Sequence, residues 1–300
     1  MSSRLATPAI AFAVGTLGIA LFSGMDAIMK GLVLAIGVYS TMLWRSFAGV
    51  GMSGLGYGLS WKAWPERKVL RMHVERGVLT SVMGLLFFWG IGHVPLAQAI
   101  ALAFIAPLIA LYLAAVLLGE VVGKRTVGAS VLAFAGVIVI FVGQARADLG
   151  REALLGSLAI LASAVLYAMN IIMMRRQSQA AGPLEIAFFQ NLTVSLVLLL
   201  ALPVVGTTLP SLQHWPALLG AAVLSTLSLL LLSWAYARAE ASYLAATEYT
   251  AFLWAALFGW LVFGEHLSGF TLAGAGLIVT GCLLAARSPQ AANPHLEAAP

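Results

Sequence analysis

Ten apolar runs follow one another along this chain, and only a few polar residues separate most of them. The runs lie at about 8–29, 33–58, 73–92, 96–118, 126–143, 153–174, 183–203, 214–236, 242–263 and 268–286. Each is long enough to cross a hydrocarbon core of roughly 30 Å as a helix. In lipid a segment must satisfy its own backbone N–H and C=O groups, so such runs fold as helices. The breaks are too short to hold a soluble domain. Of the 300 residues 61% are hydrophobic and 9% charged, against roughly 25% charged in soluble domains. So few charges cannot clothe a water-facing surface, and an all-α integral membrane protein of ten transmembrane helices is expected.

The net charge of +5 does not point to nucleic acid, because the basic residues are scattered between apolar runs rather than gathered with aromatics on one face. The single cysteine, Cys282, lies within an apolar run, which leaves no disulfide framework and no cysteine-based metal site. The N-terminal "MSSRLATPAIAFAVGTLGIALFSG" carries one Arg before its apolar stretch. That stretch is too long for the core of a signal peptide and reads as the first transmembrane helix. The polar stretch Trp61–Gly77 is expected to extend the third helix into the cytoplasm, its tryptophans lying at the interface. With the N-terminus inside, Arg4, Lys62, Arg67, Lys68, Arg71, Arg76, Lys124, Arg125, Arg175, Arg176, Arg238 and Arg287 fall on the cytoplasmic side. Lys30, Arg146 and Arg151 fall outside, and Arg45 lies within a span. This bias places both termini in the cytoplasm.

The pair Gly119-Glu120 closes one apolar run and Gly264-Glu265 closes another, 145 residues later. The same offset relates Trp89 to Trp234, Ala101 to Ala246, Leu108 to Leu253, Ala110 to Ala255, Gly136 to Gly281, and Lys30 to Arg175. The chain is therefore read as a duplication, with a first repeat over 1–146, a second over 147–287 and a disordered cytoplasmic tail over 288–300. Five spans per half make the second half enter the membrane from the opposite side. Inverted repeats of this kind are a design of secondary transporters, which bind solute near the midplane between the halves. The repeated Gly-Glu is expected to be a structural corner. Gly allows the sharp turn, and Glu reaches the free N–H groups that open the next helix.

Polar groups inside spans are functional candidates by default. Asp26 and Lys30 share a face of the first helix, where Lys30 either pairs with Asp26 or snorkels to the interface. Arg45 lies deep in the second span, and its repeat equivalent Gln190 keeps a polar group at the same depth; Arg45 either pairs with Asp26 or binds solute. Glu248 sits inside the ninth span, where the sister repeat has Ala103. It shares a broad face with Ala245, Tyr249, Phe252, Ala255, Ala256 and Gly259. Trp44, Trp89, Trp234, Tyr243, Tyr249 and Trp254 can line an amphipathic pocket or serve packing. Gln98 and Asn170 are read in the same way. Pro107 and the glycine-rich "GVGMSGLGYG" either break helices or pack them.

The segments "ALAFIAPLIALYLAAVLLGE" and "TEYTAFLWAALFGWLVFGE", with the Gly-spaced "LAGAGLIVTG", resemble the two EamA repeats of the drug/metabolite transporter superfamily. So do "DAIMKG", "YSTMLWRSFAG" and "PLEIAFFQN" at the starts of the halves. The resemblance implies an inverted-repeat transporter whose third, fourth, eighth and ninth helices wall a central cavity. Within that group the chain is similar to YddG-like amino-acid exporters, and importers of riboflavin or S-adenosylmethionine belong to the same group.

The function expected is export of small metabolites, first among them aromatic or other neutral amino acids, across a bacterial inner membrane by alternating access. The partners expected are the solute and membrane lipid, with no nucleic acid. Protons are the candidate coupling ion, and both monomer and homodimer are compatible with the sequence. Import of another metabolite is the alternative. An integral membrane enzyme finds no support in motifs, since HExxH, GxSxG and a clustered acid pair are missing. No P-loop is present, so neither ATP hydrolysis nor any cofactor is expected.

Overall fold

The computed structural model describes residues 8–59, 64–106, 108–109, 112–113, 124–146, 150–178, 180–207, 209–236, 247 and 249–286. These residues form ten α-helices: α1 (Pro8–Ile36), α2 (Val38–Leu59), α3 (Arg67–Ile91), α4 (Leu96–Ala103), α5 (Lys124–Arg146), α6 (Gly150–Ser178), α7 (Pro183–Val205), α8 (Trp215–Tyr236), α9 (Thr250–Phe263) and α10 (Gly269–Ala286). A single 3-10 turn, Leu212–His214, leads into α8. Apolar side chains cover the outside, with Leu55, Leu200 and Val204 exposed by 71%, 81% and 89%. Such a surface is stable only against lipid. Stretches of α1, α3, α6 and α7, together with Leu212–Leu232, are long and apolar enough to cross a membrane. Shorter apolar helices occur at Ser130–Gly143, Thr250–Phe263 and Gly269–Gly281.

Two boundaries differ from the sequence reading. Helix α1 runs on to Ile36 and turns at Gly37, whose φ of 78° is a left-handed value that suits glycine. Helix α3 begins at Arg67, so the basic stretch joins the helix as expected, but part of it is buried. The glycine-rich stretch of the second span is continuous helix within α2. Two of its glycines serve packing: a Cβ on Gly49 would meet Asn191, and one on Gly54 would meet Phe188, both on α7. Pro107 lies outside the described residues.

The extensive contacts join helices of different halves: α1 with α8, α3 with α6, α2 with α7, and α5 with α10. Exchanging the halves turns the first pairing into the second and leaves the other two unchanged, as an inverted duplication requires. The crossing points carry the same signature. Where α3 crosses α6, a Cβ on Gly90 would lie 2.8 Å from the carbonyl oxygen of Gly156. The 145-residue offset carries Gly156 to Ala11 and Gly90 to Ala235. Those two alanines are fully buried and packed together where α1 meets α8. Lipid supplies no hydrophobic drive between helices, so close approach through small residues provides the attraction.

Helices α5 and α10 approach still more closely. A Cβ on Gly136 would lie 2.5 Å from the Gly274 carbonyl oxygen, while one on Gly128 would meet nothing. Gly136→Ala is expected to lower stability by about 1–3 kcal/mol and Gly128→Ala to leave it unchanged or raise it. Thermal unfolding of the purified variants in detergent measures both.

Candidate functional site

Near the C-terminal end of α1, Lys30 ties together the turns that follow α3 and α9. Lys30 is 5% exposed, and its ammonium donates to the Val94 carbonyl at 2.6 Å and forms an ion pair with Glu265 Oε1. The other carboxylate oxygen, Oε2, accepts from the Leu96 backbone N–H at 2.7 Å. Leu96 opens α4, so the carboxylate caps the positive end of that helix. Glu265 can turn inward because Gly264 takes a left-handed φ of 65° and Gly259 carries no side chain. A Cβ on Gly259 would meet Glu265 Oε2 at 2.6 Å. The Phe263 ring lies 5.2 Å from the ammonium.

Two expectations are corrected here. Lys30 pairs with Glu265 rather than Asp26, because the carboxylate that reaches it comes from a different half. Glu265 caps a helix N-terminus as expected, but that helix is α4, not the α10 that follows it. Gly119 and Glu120 lie outside the described residues, as do Tyr243 and Glu248.

Asp26 lies one turn deeper on α1 and is 1% exposed, and neither carboxylate oxygen has a hydrogen-bond partner. Its electrostatic partner is Arg45 of α2, whose Nε is sealed from solvent and likewise unbonded. Ser23 and Ser46 Oγ and Trp44 Nε1 nearby in sequence are also buried and unpaired. The pairing of Arg45 with Asp26 is therefore long-range, without hydrogen bonds that would close it. A buried charge left in this state is costly.

A third polar group joins α3, α6 and α7 at the opposite end. Asn170 Oδ1 accepts from Arg76 Nε at 2.8 Å, and Gln190 Nε2 donates to Thr80 Oγ1 at 2.5 Å. Sequence reasoning found Asn170 and Gln190 but placed Arg76 and His73 in a cytoplasmic extension. Both are buried, at 8% and 1% exposure. Their spacing offers the missed signal: His73, Arg76, Thr80 and Gly84 recur on one face of α3.

The remaining candidates are dispersed. Gln98 donates to Ser157 Oγ across α4 and α6 at 3.3 Å. Trp44 packs edge-on against Trp215 and Tyr249 edge-on against Phe104 just after α4, while Trp89 lies tilted against His93. Trp254 stacks on Phe258 with its Nε1 buried and unpaired, and Trp234 packs against the Ala11–Ala235 crossing. A cavity of about 460 Å³ lies between α1, α8 and α9, lined by Gly24, Ala27, Gly31, Ala217 and Phe258 among others. It is apolar and occupies the face of α1 opposite Asp26 and Lys30. Among the described residues no cluster of His, Cys, Asp or Glu could hold a metal ion.

The Lys30–Glu265 bridge predicts a stability effect. Glu265→Gln strands a buried ammonium and is expected to lose about 3 kcal/mol, and Lys30→Met to lose a similar amount. The double variant is expected to fall short of the sum by roughly 1–3 kcal/mol. Denaturant unfolding of the four proteins in detergent gives this coupling.

Comparison with known proteins places this geometry in context. The chain is 27% identical to the pseudopaline exporter CntI of Pseudomonas aeruginosa over 89% of its own length and 92% of the relative's. It is 32% identical to a riboflavin transporter of Vibrio cholerae over 67% of each chain, and 29% identical to one of Rhizobium johnstonii over 72% and 70%. A crystal structure superposes with a TM-score of 0.61 at 21% identity, covering 93% of this chain and 98% of the other, which extends the likeness to the fold. The profile of the EamA-like transporter family matches twice, over residues 9–142 and again over 154–287. With both halves matched and ten helices packed as an inverted duplication, this multi-pass membrane chain belongs to the EamA-like transporter family.

Proposed function

We propose that the chain is a secondary transporter that exports a small zwitterionic metabolite, most readily a neutral or aromatic amino acid, across a bacterial inner membrane. The observation that carries this reading is the unsatisfied pair of Asp26 and Arg45. A chain that needed these charges only for stability would bond them fully. Here both Asp26 carboxylate oxygens and Arg45 Nε are sealed inside the bundle without a hydrogen bond, and the two groups interact only at long range. A solute carrying one amine and one carboxylate would complete both with charge-assisted hydrogen bonds.

Alternating access follows from the inverted duplication, since either half can open while the other closes. The bias of basic residues toward the side that bears the N-terminus supports a cytoplasmic location for both termini. Glu248, by its position in the ninth span, is a further candidate for the solute's amine, and protons are the candidate coupling ion. A named exporter among the relatives supports outward transport. A second reading, movement of a flavin-like metabolite, is favoured by the relatives named riboflavin transporters. The transporter names of the relatives also favour transport over catalysis.

Counterflow in proteoliposomes tests these readings with labelled phenylalanine, leucine and riboflavin, with and without a proton gradient. Amino-acid counterflow is expected, with Asp26→Asn and Arg45→Gln each lowering it by roughly tenfold or more while the proteins keep their elution profile. Counterflow of riboflavin alone would select the second reading. Unchanged amino-acid rates in both variants would remove the role given to this pair.

A further inference from the structure

The polar group between α3, α6 and α7 has an orderly internal arrangement that packing does not require. Arg76 donates from Nε to Asn170 Oδ1 at 2.8 Å and from Nη1 to Gln177 Oε1 at 2.7 Å. Gln177 Nε2 donates to His73 Nδ1 at 2.5 Å, and His73 Nε2 donates to Glu185 Oε1 at 3.1 Å. His73 is held flat against Phe189, with ring centroids 4.7 Å apart. The relay runs in one direction, from guanidinium to carboxylate. Its consequence is that the only carboxylate in the relay, Glu185, is two side chains away from Arg76. The guanidinium itself touches only neutral amides, and Nη2 has no partner among the described residues. Tyr167, one turn before Asn170 on α6, is its remaining electrostatic neighbour.

The other half of the molecule shows what this position needs for packing alone. The 145-residue offset carries His73 to Leu218, Arg76 to Ala221, Asn170 to Met25 and Gln177 to Leu32. All four equivalents are buried and apolar where α1 crosses α8. These four positions are thus apolar in one half and polar in the other, where they hold a buried cation with no anion beside it among the described residues. Buried charges are normally paired, so a cation left in amide contacts alone lacks a partner.

We infer that Arg76 is a second anion subsite, which receives the solute's carboxylate at the end of the bundle opposite the Lys30–Glu265 bridge, before or after that carboxylate is held by Arg45. Asn170 and Gln177 are positioning residues that hold the guanidinium with Nη2 free to donate. The identification of the anion as a solute carboxylate rests on the transport reading above. Arg76 is 8% exposed, whereas Arg71, five residues earlier on α3, lies on the open face with its side chain 80% exposed, so the subsite is inside the bundle rather than on its outer surface.

Thermal unfolding of the purified full-length chain in detergent tests this, with phenylacetate as probe. Phenylacetamide is its neutral counterpart, sodium chloride controls for ionic strength, and inorganic phosphate stands for the headgroup anion. Phenylacetate alone is expected to raise the midpoint, by about 3 °C at saturating concentration. Arg76→Gln is expected to weaken that protection by roughly tenfold, and Arg76→Lys to retain part of it. The combined variant His73→Leu, Arg76→Ala, Asn170→Met, Gln177→Leu copies the sister half. It is expected to fold and to lose the protection entirely, which keeps the test open if Arg76→Gln alone does not fold.

Protection unchanged in the combined variant, absent from the wild type, or equal with chloride or phosphate would overturn the inference. Counterflow measured in parallel separates the two readings. Protection that depends on Arg76 in a protein that moves no solute leaves the anion subsite standing and removes transport. Counterflow with protection indifferent to Arg76 does the reverse.

Discussion

The bridge from Lys30 to Glu265 and on to the first N–H of α4 is the contact on which one end of the bundle depends. It joins α1, the turn between α3 and α4, and the turn between α9 and α10, so it spans both halves. Its strength comes from what surrounds it. A lysine and a glutamate exposed to water would contribute almost nothing. Here the ammonium also has a carbonyl and an aromatic face, and the carboxylate also has a helix N-terminus. Each charge is fully solvated by protein, so closing this end of the bundle does not leave a charge unpaired.

The two halves share backbone architecture and differ in what they place at equivalent positions. Small residues recur at both main crossings, Gly90 on Gly156 and Ala11 on Ala235, because close helix approach is required by the fold and is inherited by both copies. Polar groups do not recur in the same way. Asp26 and Arg45 lie in the first half, and the relay around Arg76 links the first half to the second. The halves therefore share what the fold requires and differ in their polar groups. Within one structure, the sister position serves as a control for what packing alone demands.

Much of this architecture is legible in the sequence. The ten runs, the 145-residue offset and the glycine corner at Gly264 were read from hydrophobic pattern and turn chemistry. Asn170 stands out as an uncharged polar residue in a span, and Gln190 as the repeat equivalent of Arg45. Arg76 and His73 escaped because they sit in a stretch rich in Arg, Lys and Glu, which looks like a solvated loop. A charge count has no way to distinguish a residue on the wet face of a helix from one on its buried face three positions away. The partner of Lys30 escaped for a different reason. Asp26 is its neighbour by helical period, whereas Glu265 is 235 residues distant and is brought near only by the packing of α9 beside α1.

The division follows from the range of the forces involved. Whether a segment spans the membrane depends on transfer of its own side chains and on hydrogen bonds within its own helix, and both are local to the segment. The duplication and its inversion follow from the order and number of such segments. Which charge meets which depends on how helices cross, and that is set by small residues on two different helices at once. Hence the chain's letters decided ten helices, two halves and membrane residence. The pairing of Lys30 with Glu265, the unsatisfied Asp26 and Arg45, and the amide-bound Arg76 came only with the packed bundle.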